Sequence, residues 1–174
     1  SNIHILRGPA AYDHQIAFLQ SLPFVTFMEI TFIGLPILYH AGYGFYVLVT
    51  GKGNLSWYPY RENWLYALQR WTGVITFVYV LYHVWETRLA KAFYGTEVSY
   101  ARMADLMHHP LNFWIYLVGL TAVMFHFANG LWGFLISWGL ITNESGRRIS
   151  GWLCVLVSLV LYAIGVGALL CLVK

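Results

Sequence analysis

Three histidines stand inside stretches that are otherwise apolar: His40 in "LPILYHAGYGFY", His83 in "VLYHVWET" and His126 in "FHFANG". Imidazole changes charge near neutral pH and is the commonest nitrogen ligand of metals. At such depth an ionisable group is costly, and it marks a functional position unless it merely hydrogen-bonds to a neighbouring helix. The other histidines, His4, His14, His108 and His109, fall in connecting segments, where a solvated side chain is the simpler reading.

The elements that must carry these residues follow from composition. The chain has 174 residues, 59% hydrophobic, 18% aromatic and 10% charged, with a mean hydropathy of +0.61; a soluble domain carries roughly 25% charged residues. An integral membrane protein is expected, with lipid around it and no nucleic-acid partner. A bilayer core of about 30 Å needs roughly 20 apolar residues per helix. Four segments reach that length: A (27–50), B (65–89), C (112–138) and D (149–173). The expected fold is an all-α membrane helix bundle in a single domain, with 1–26 as an interfacial or connecting segment.

Spans C and D contain no Asp, Glu, Lys or Arg, while Trp and Tyr gather near span ends, as in "WYPYRENWLY" and "WGFLISW", where amphipathic rings favour the headgroup region. Connections are short, so neighbouring spans should be antiparallel. The amino terminus, the B–C loop and the carboxyl terminus then share a first face, and the A–B and C–D loops a second. Arg7, Arg88, Lys91, Arg102 and Lys174 lie on the first face, against Lys52, Arg61, Arg70, Arg147 and Arg148 on the second. Equal numbers do not orient the bundle, but the second set is packed into shorter loops (51–64 and 139–148), which favours that face as cytoplasmic. Cys154 and Cys171, both in D, are too far apart along one helix to bridge.

Counting from span midpoints at 1.5 Å per residue, His40 and His126 are level within about 1 Å, whereas His83 is displaced roughly 11 Å toward the first face. Two level imidazoles from different helices suit a haem with two axial histidines. Gly44 and Gly130 each follow their histidine by four residues, leaving a side-chain-free position where a flat macrocycle could approach; close helix packing is the competing use of both. Pro36, one turn before His40, is expected to kink span A and free the carbonyl of Phe32. A zinc site would need three or four ligands at one level, and a di-iron bundle several deep glutamates; the sequence offers neither.

The stretches "SLPF", "LPILYHAGYG", "LQRWTGVITFVYVLYHVWETR" and "FHFANGLWGFLISWG" resemble the single-polypeptide, di-haem cytochrome b subunit of succinate dehydrogenase and fumarate reductase, over nearly the whole chain. The resemblance implies two haems b. His40 and His126 match the axial pair of the haem nearer the dehydrogenase, and His83 one ligand of the farther haem. The family has five transmembrane helices, and the resemblance implies that its first, carrying the remaining ligand, precedes Ser1.

Further expectations rest on the same resemblance. Paired axial imidazoles leave iron no open position, so electron transfer rather than oxygen binding is implied. Gln69 and Arg70 are candidates to hold the propionates of the nearer haem, and Arg88 those of the farther one, against a simple snorkelling role for the arginines. Partners would be a flavoprotein subunit and an iron–sulfur subunit on the cytoplasmic second face, in a prokaryotic plasma membrane, with room for a higher oligomer of the complex. The small-molecule substrate would be a quinone, usually menaquinone in this family, bound toward the first face. Glu29 leads as its proton-exchanging group, followed by Asp13 and His14. Two readings compete: a cytochrome b anchor of another respiratory enzyme, such as a hydrogenase or formate dehydrogenase, and a non-redox anchor whose histidines are structural.

Overall fold

In the computed structural model, which describes residues 2–174, the chain is helical wherever it is regular. Two helices come first, α1 (Asn2–Ile5) and α2 (Pro9–Ser21). Pro9 opens α2, where its missing N–H costs nothing. Leu22 and Pro23 end it, and Phe24 takes a left-handed conformation (φ 55°) that turns the chain into span A.

Span A is one continuous helix, Val25–Thr50, built of α3 (Val25–Met28), a π turn at Glu29–Gly34 and α4 (Leu35–Thr50). The π turn lies just before Pro36. Proline cannot donate to the Phe32 carbonyl, and widening the preceding turn is a recognised way for a helix to absorb that loss. Span B begins with α5 (Arg61–Val84), continues through a second π turn at Trp85–Leu89 and ends with α6 (Ala90–Tyr94) at Gly95. The short α7 (Tyr100–His108) is capped by Ser99, whose hydroxyl accepts from the Arg102 N–H at 3.2 Å.

Spans C and D are α8 (Pro110–Ser137) and α9 (Glu144–Leu172). Both start earlier than their apolar runs suggest, because Pro110 occupies the first helical position of α8 and the Asn143 side chain caps α9 by accepting from Gly146 N–H at 2.6 Å. Span A, α8 and α9 are long and apolar enough to cross a membrane. At 24 residues, α5 spans about 36 Å, but Gln69, Arg70, His83 and its tyrosines make it less apolar.

The α8 helix is the centre of the bundle, packed along α5 on one side and α9 on the other, while α4 lies only lightly against α5 and buries no residue. At Gly165 of α9 a Cβ would stand 2.7 Å from Leu120 Cδ2, so a larger residue there would displace the Leu120 side chain from the α8–α9 interface. Ser158 Oγ donates to the Met124 carbonyl across the same interface at 2.8 Å. The bundle is apolar on its outside as well: Trp152, Leu153, Leu156 and Leu159 of α9 are all more than half exposed, as expected where the surroundings are lipid rather than water.

The densest packing sits at one end. Ile5 and Tyr12 from the amino-terminal helices, Met103 and Met107 from α7, Tyr116 and Leu120 from α8, and Ala168, Leu169 and Leu172 from α9 form one buried cluster. Elements that the antiparallel arrangement assigns to the first face thus meet there.

Candidate functional site

His40 projects from α4 and His126 from α8, helices whose backbones are not packed against each other. Their rings nevertheless come together, with centroids 6.0 Å apart and planes at 85°. His40 is exposed on the surface of the chain and His126 is half-buried. Among the described residues, no three His, Cys, Asp or Glu side chains gather into an ion-binding group.

The orientation of His126 is set by α5. Its Nδ1 lies 3.1 Å from the Gln69 carbonyl oxygen, which can only accept, so Nδ1 carries the proton and Nε2 keeps a free lone pair. The Gln69 side chain returns the contact by donating from Nε2 to the His126 carbonyl at 3.1 Å. Asn129, one turn after His126, donates from Nδ2 to Gln69 Oε1 at 2.8 Å and to the Leu65 carbonyl at 3.2 Å. Gly73 completes the seat, since a Cβ there would lie 3.0 Å from His126 Cε1.

The glycines singled out for clearance differ from each other. A Cβ at Gly44 would meet nothing within 4 Å, while one at Gly130 would stand 3.0 Å from Gln69 Nε2. Arg70, the next residue after Gln69, turns to the end of span A, donating to the carbonyls of Leu48 and Gly51 and standing over the Tyr66 ring at 5.3 Å. Its Nε is buried without a partner.

His83 occupies a separate place, ten residues beyond Gly73 and so about 15 Å further along the helix axis. Its Nδ1 is 3.3 Å from the Tyr116 hydroxyl of α8, and its ring lies among Tyr79 and Tyr116. Two of the remaining charged candidates are engaged with each other. Arg88, in the second π turn, donates from Nε to Glu29 Oε2 at 2.6 Å; Glu29 begins the first π turn. Glu86 pairs with Arg102 of α7 at 3.3 Å. Asp13 accepts from Tyr100 N–H at 2.7 Å, which fastens α2 to the start of α7, and His14 is exposed.

Sequence reasoning missed Gly73, Asn129 and Tyr116. A helical projection of α5 would have found Gly73, because it shares a face with Gln69 four residues earlier. Nothing in the sequence distinguishes Tyr116 from the other tyrosines near span ends.

These findings can be set beside known proteins. The family model described as "Succinate dehydrogenase/Fumarate reductase transmembrane subunit" matches residues 54–165. The succinate dehydrogenase cytochrome b558 subunit of Bacillus subtilis (strain 168) is 41% identical over 163 residues, covering 94% of this chain and 80% of that protein. No solved structure is matched.

Proposed function

Because the chain belongs to the succinate dehydrogenase/fumarate reductase transmembrane subunit family, we propose that it is the membrane anchor and electron-transfer subunit of a succinate:quinone oxidoreductase. It works between an iron–sulfur subunit and a membrane quinone, menaquinone in the form we favour. The observation that carries the reading is the His40–His126 pair. Two imidazoles bound to one iron, each through a nitrogen roughly 2 Å away, have centroids about 6 Å apart; here they are 6.0 Å apart, with perpendicular planes that such ligation allows.

The remaining residues also fit a haem b. His126 has its proton on Nδ1 and offers Nε2, a partnered second nitrogen being the usual arrangement for a ligating histidine. Gly44 borders open space beside His40. Arg70 keeps one buried donor without a partner, which suits it to an anionic propionate better than Gln69, whose amide is committed to His126 and Asn129. Bound in this way, haem supplies one-electron transfer with no open iron position for oxygen. His83 is assigned to a second haem, with Arg88 as its propionate candidate.

On the quinone side, the chain's work is to hold and move protons near water. Glu29 is the leading group, held by Arg88 at the end of the bundle where α2 and α7 meet; Asp13 and His14 stand behind it. The flavoprotein and iron–sulfur subunits dock on the opposite, cytoplasmic end, in a prokaryotic plasma membrane.

The test is the purified complex. A reduced-minus-oxidised spectrum should show b-type haem, and His40→Ala and His126→Ala should each remove the same one haem while leaving the other. Absence of any b-type band would end the reading, and co-purification with a nickel or molybdenum subunit in place of a flavoprotein would redirect it.

A further inference from the structure

His126 and His83 obtain the partner of their second ring nitrogen in different ways. For His126 it is a backbone carbonyl of α5, which no substitution removes. For His83 the atom near Nδ1 is the phenolic oxygen of Tyr116, at 3.3 Å.

Tyr116 is 4% exposed and tightly placed. Tyr79 meets its ring edge-on at 5.4 Å and 86°, and Tyr82 at 6.1 Å and 74°. Tyr82 is itself fixed, donating to Asn112 Oδ1 at 2.7 Å, and Asn112 Nδ2 donates to the Leu106 carbonyl at 3.0 Å. The Tyr116 ring is therefore held in place by packing that does not depend on His83, and His83 is the partner its hydroxyl meets. His83, by contrast, is exposed on the chain. With Nδ1 held by a buried hydroxyl, Nε2 is the nitrogen left for a ligand outside the chain's own packing.

A phenol can accept or donate, and the two cases have opposite consequences. Accepting from Nδ1–H leaves Nε2 with a free lone pair; donating to Nδ1 puts the proton on Nε2 and blocks ligation. Resting on the haem reading above, we propose that Tyr116 is the positioning residue of His83: its hydroxyl accepts the Nδ1–H, fixes the tautomer that exposes Nε2, and raises the basicity of that nitrogen. Partners of this kind orient ligating histidines and tune the metal they bind.

The test compares Tyr116→Phe with wild type in the purified complex, with Tyr79→Phe as a control that removes a neighbouring hydroxyl not bonded to His83. Tyr116→Phe keeps the ring and its packing, so both haems should remain. An imidazole without its acceptor gives less electron density to iron, so the midpoint potential of the haem held by His83 should move upward, while the His40/His126 haem and the Tyr79→Phe complex should not change. Unchanged potentials, equal shifts of both haems, or the same shift in the control would overturn the proposal. Where Tyr116→Phe fails to assemble, nitrogen-15 shifts of His83 in the full wild-type chain prepared without haem decide: a protonated Nδ1 supports it and a protonated Nε2 overturns it. A wild-type complex lacking b-type absorbance removes the haem reading instead, and the same nitrogen shifts still judge the tautomer.

Discussion

His126 is seated by groups that a reader of the sequence would pass over. Gly73 leaves the ring edge 3.0 Å from where a Cβ would begin, so Gly73→Val should drive His126 away from His40. The expected result is loss of one of the two proposed haems, measured as pyridine haemochrome per polypeptide, together with an overpacking cost of about 1–3 kcal/mol. The histidines were legible in the sequence because an ionisable group within an apolar run is conspicuous. Gly73 was not, since glycine in a membrane helix is ordinarily a packing residue, and Tyr116 was not, since tyrosine near a span end ordinarily faces the headgroups.

Among the helices, α5 is both scaffold and fastener. Gln69 and Gly73 face α8, whereas Arg70 turns toward span A and donates to the carbonyls of Leu48 and Gly51, which the end of that helix leaves without intrahelical partners. Arg70→Leu should strip those acceptors and cost about 2 kcal/mol, read as a lower melting temperature of the complex in detergent. At α7, Ser99→Ala removes the cap on Arg102 N–H and should cost about 1 kcal/mol in the same assay. The helices of spans A, C and D could be read from apolar length, and Pro36 announced a disturbance in span A, where a π turn precedes it. The π turn at Trp85–Leu89 had no such signal: no proline or glycine lies within it, and it could be recognised only from the folded backbone.

In the molecule as a whole, order is concentrated at the end where the amino-terminal helices, α7, α8 and α9 meet. Met107, 1% exposed at the heart of that cluster, should cost about 2–5 kcal/mol when changed to Ala, again measured by melting in detergent. Tyr12 lies in the same cluster, and burial, with a smaller contribution from Asp13, pushes its hydroxyl above the ordinary 10.0. An acid whose pKa is raised by folding stabilises the native state fully below its unfolded pKa and loses that contribution as pH climbs through the folded value. Melting temperature should therefore fall above about pH 10, and Tyr12→Phe should flatten the fall. This tight end was hidden from composition, because Ile5, Tyr12, Met103 and Met107 come from the amino-terminal segment and one connecting loop, which each read as polar linker, and nothing marks them as partners of the five residues that spans C and D contribute.

Span A stands apart from that order. Its α4 stretch buries nothing, and the contacts that tie it down lie toward its two ends, Glu29 to Arg88 at one and the Arg70 guanidinium at the other. Between those ends it is met by aromatic rings, Phe45 edge-on to Phe77 at 5.2 Å and His40 beside His126 at 6.0 Å. A flat cofactor held as proposed would then be admitted by moving span A alone, with the packing of α8 between α5 and α9 kept.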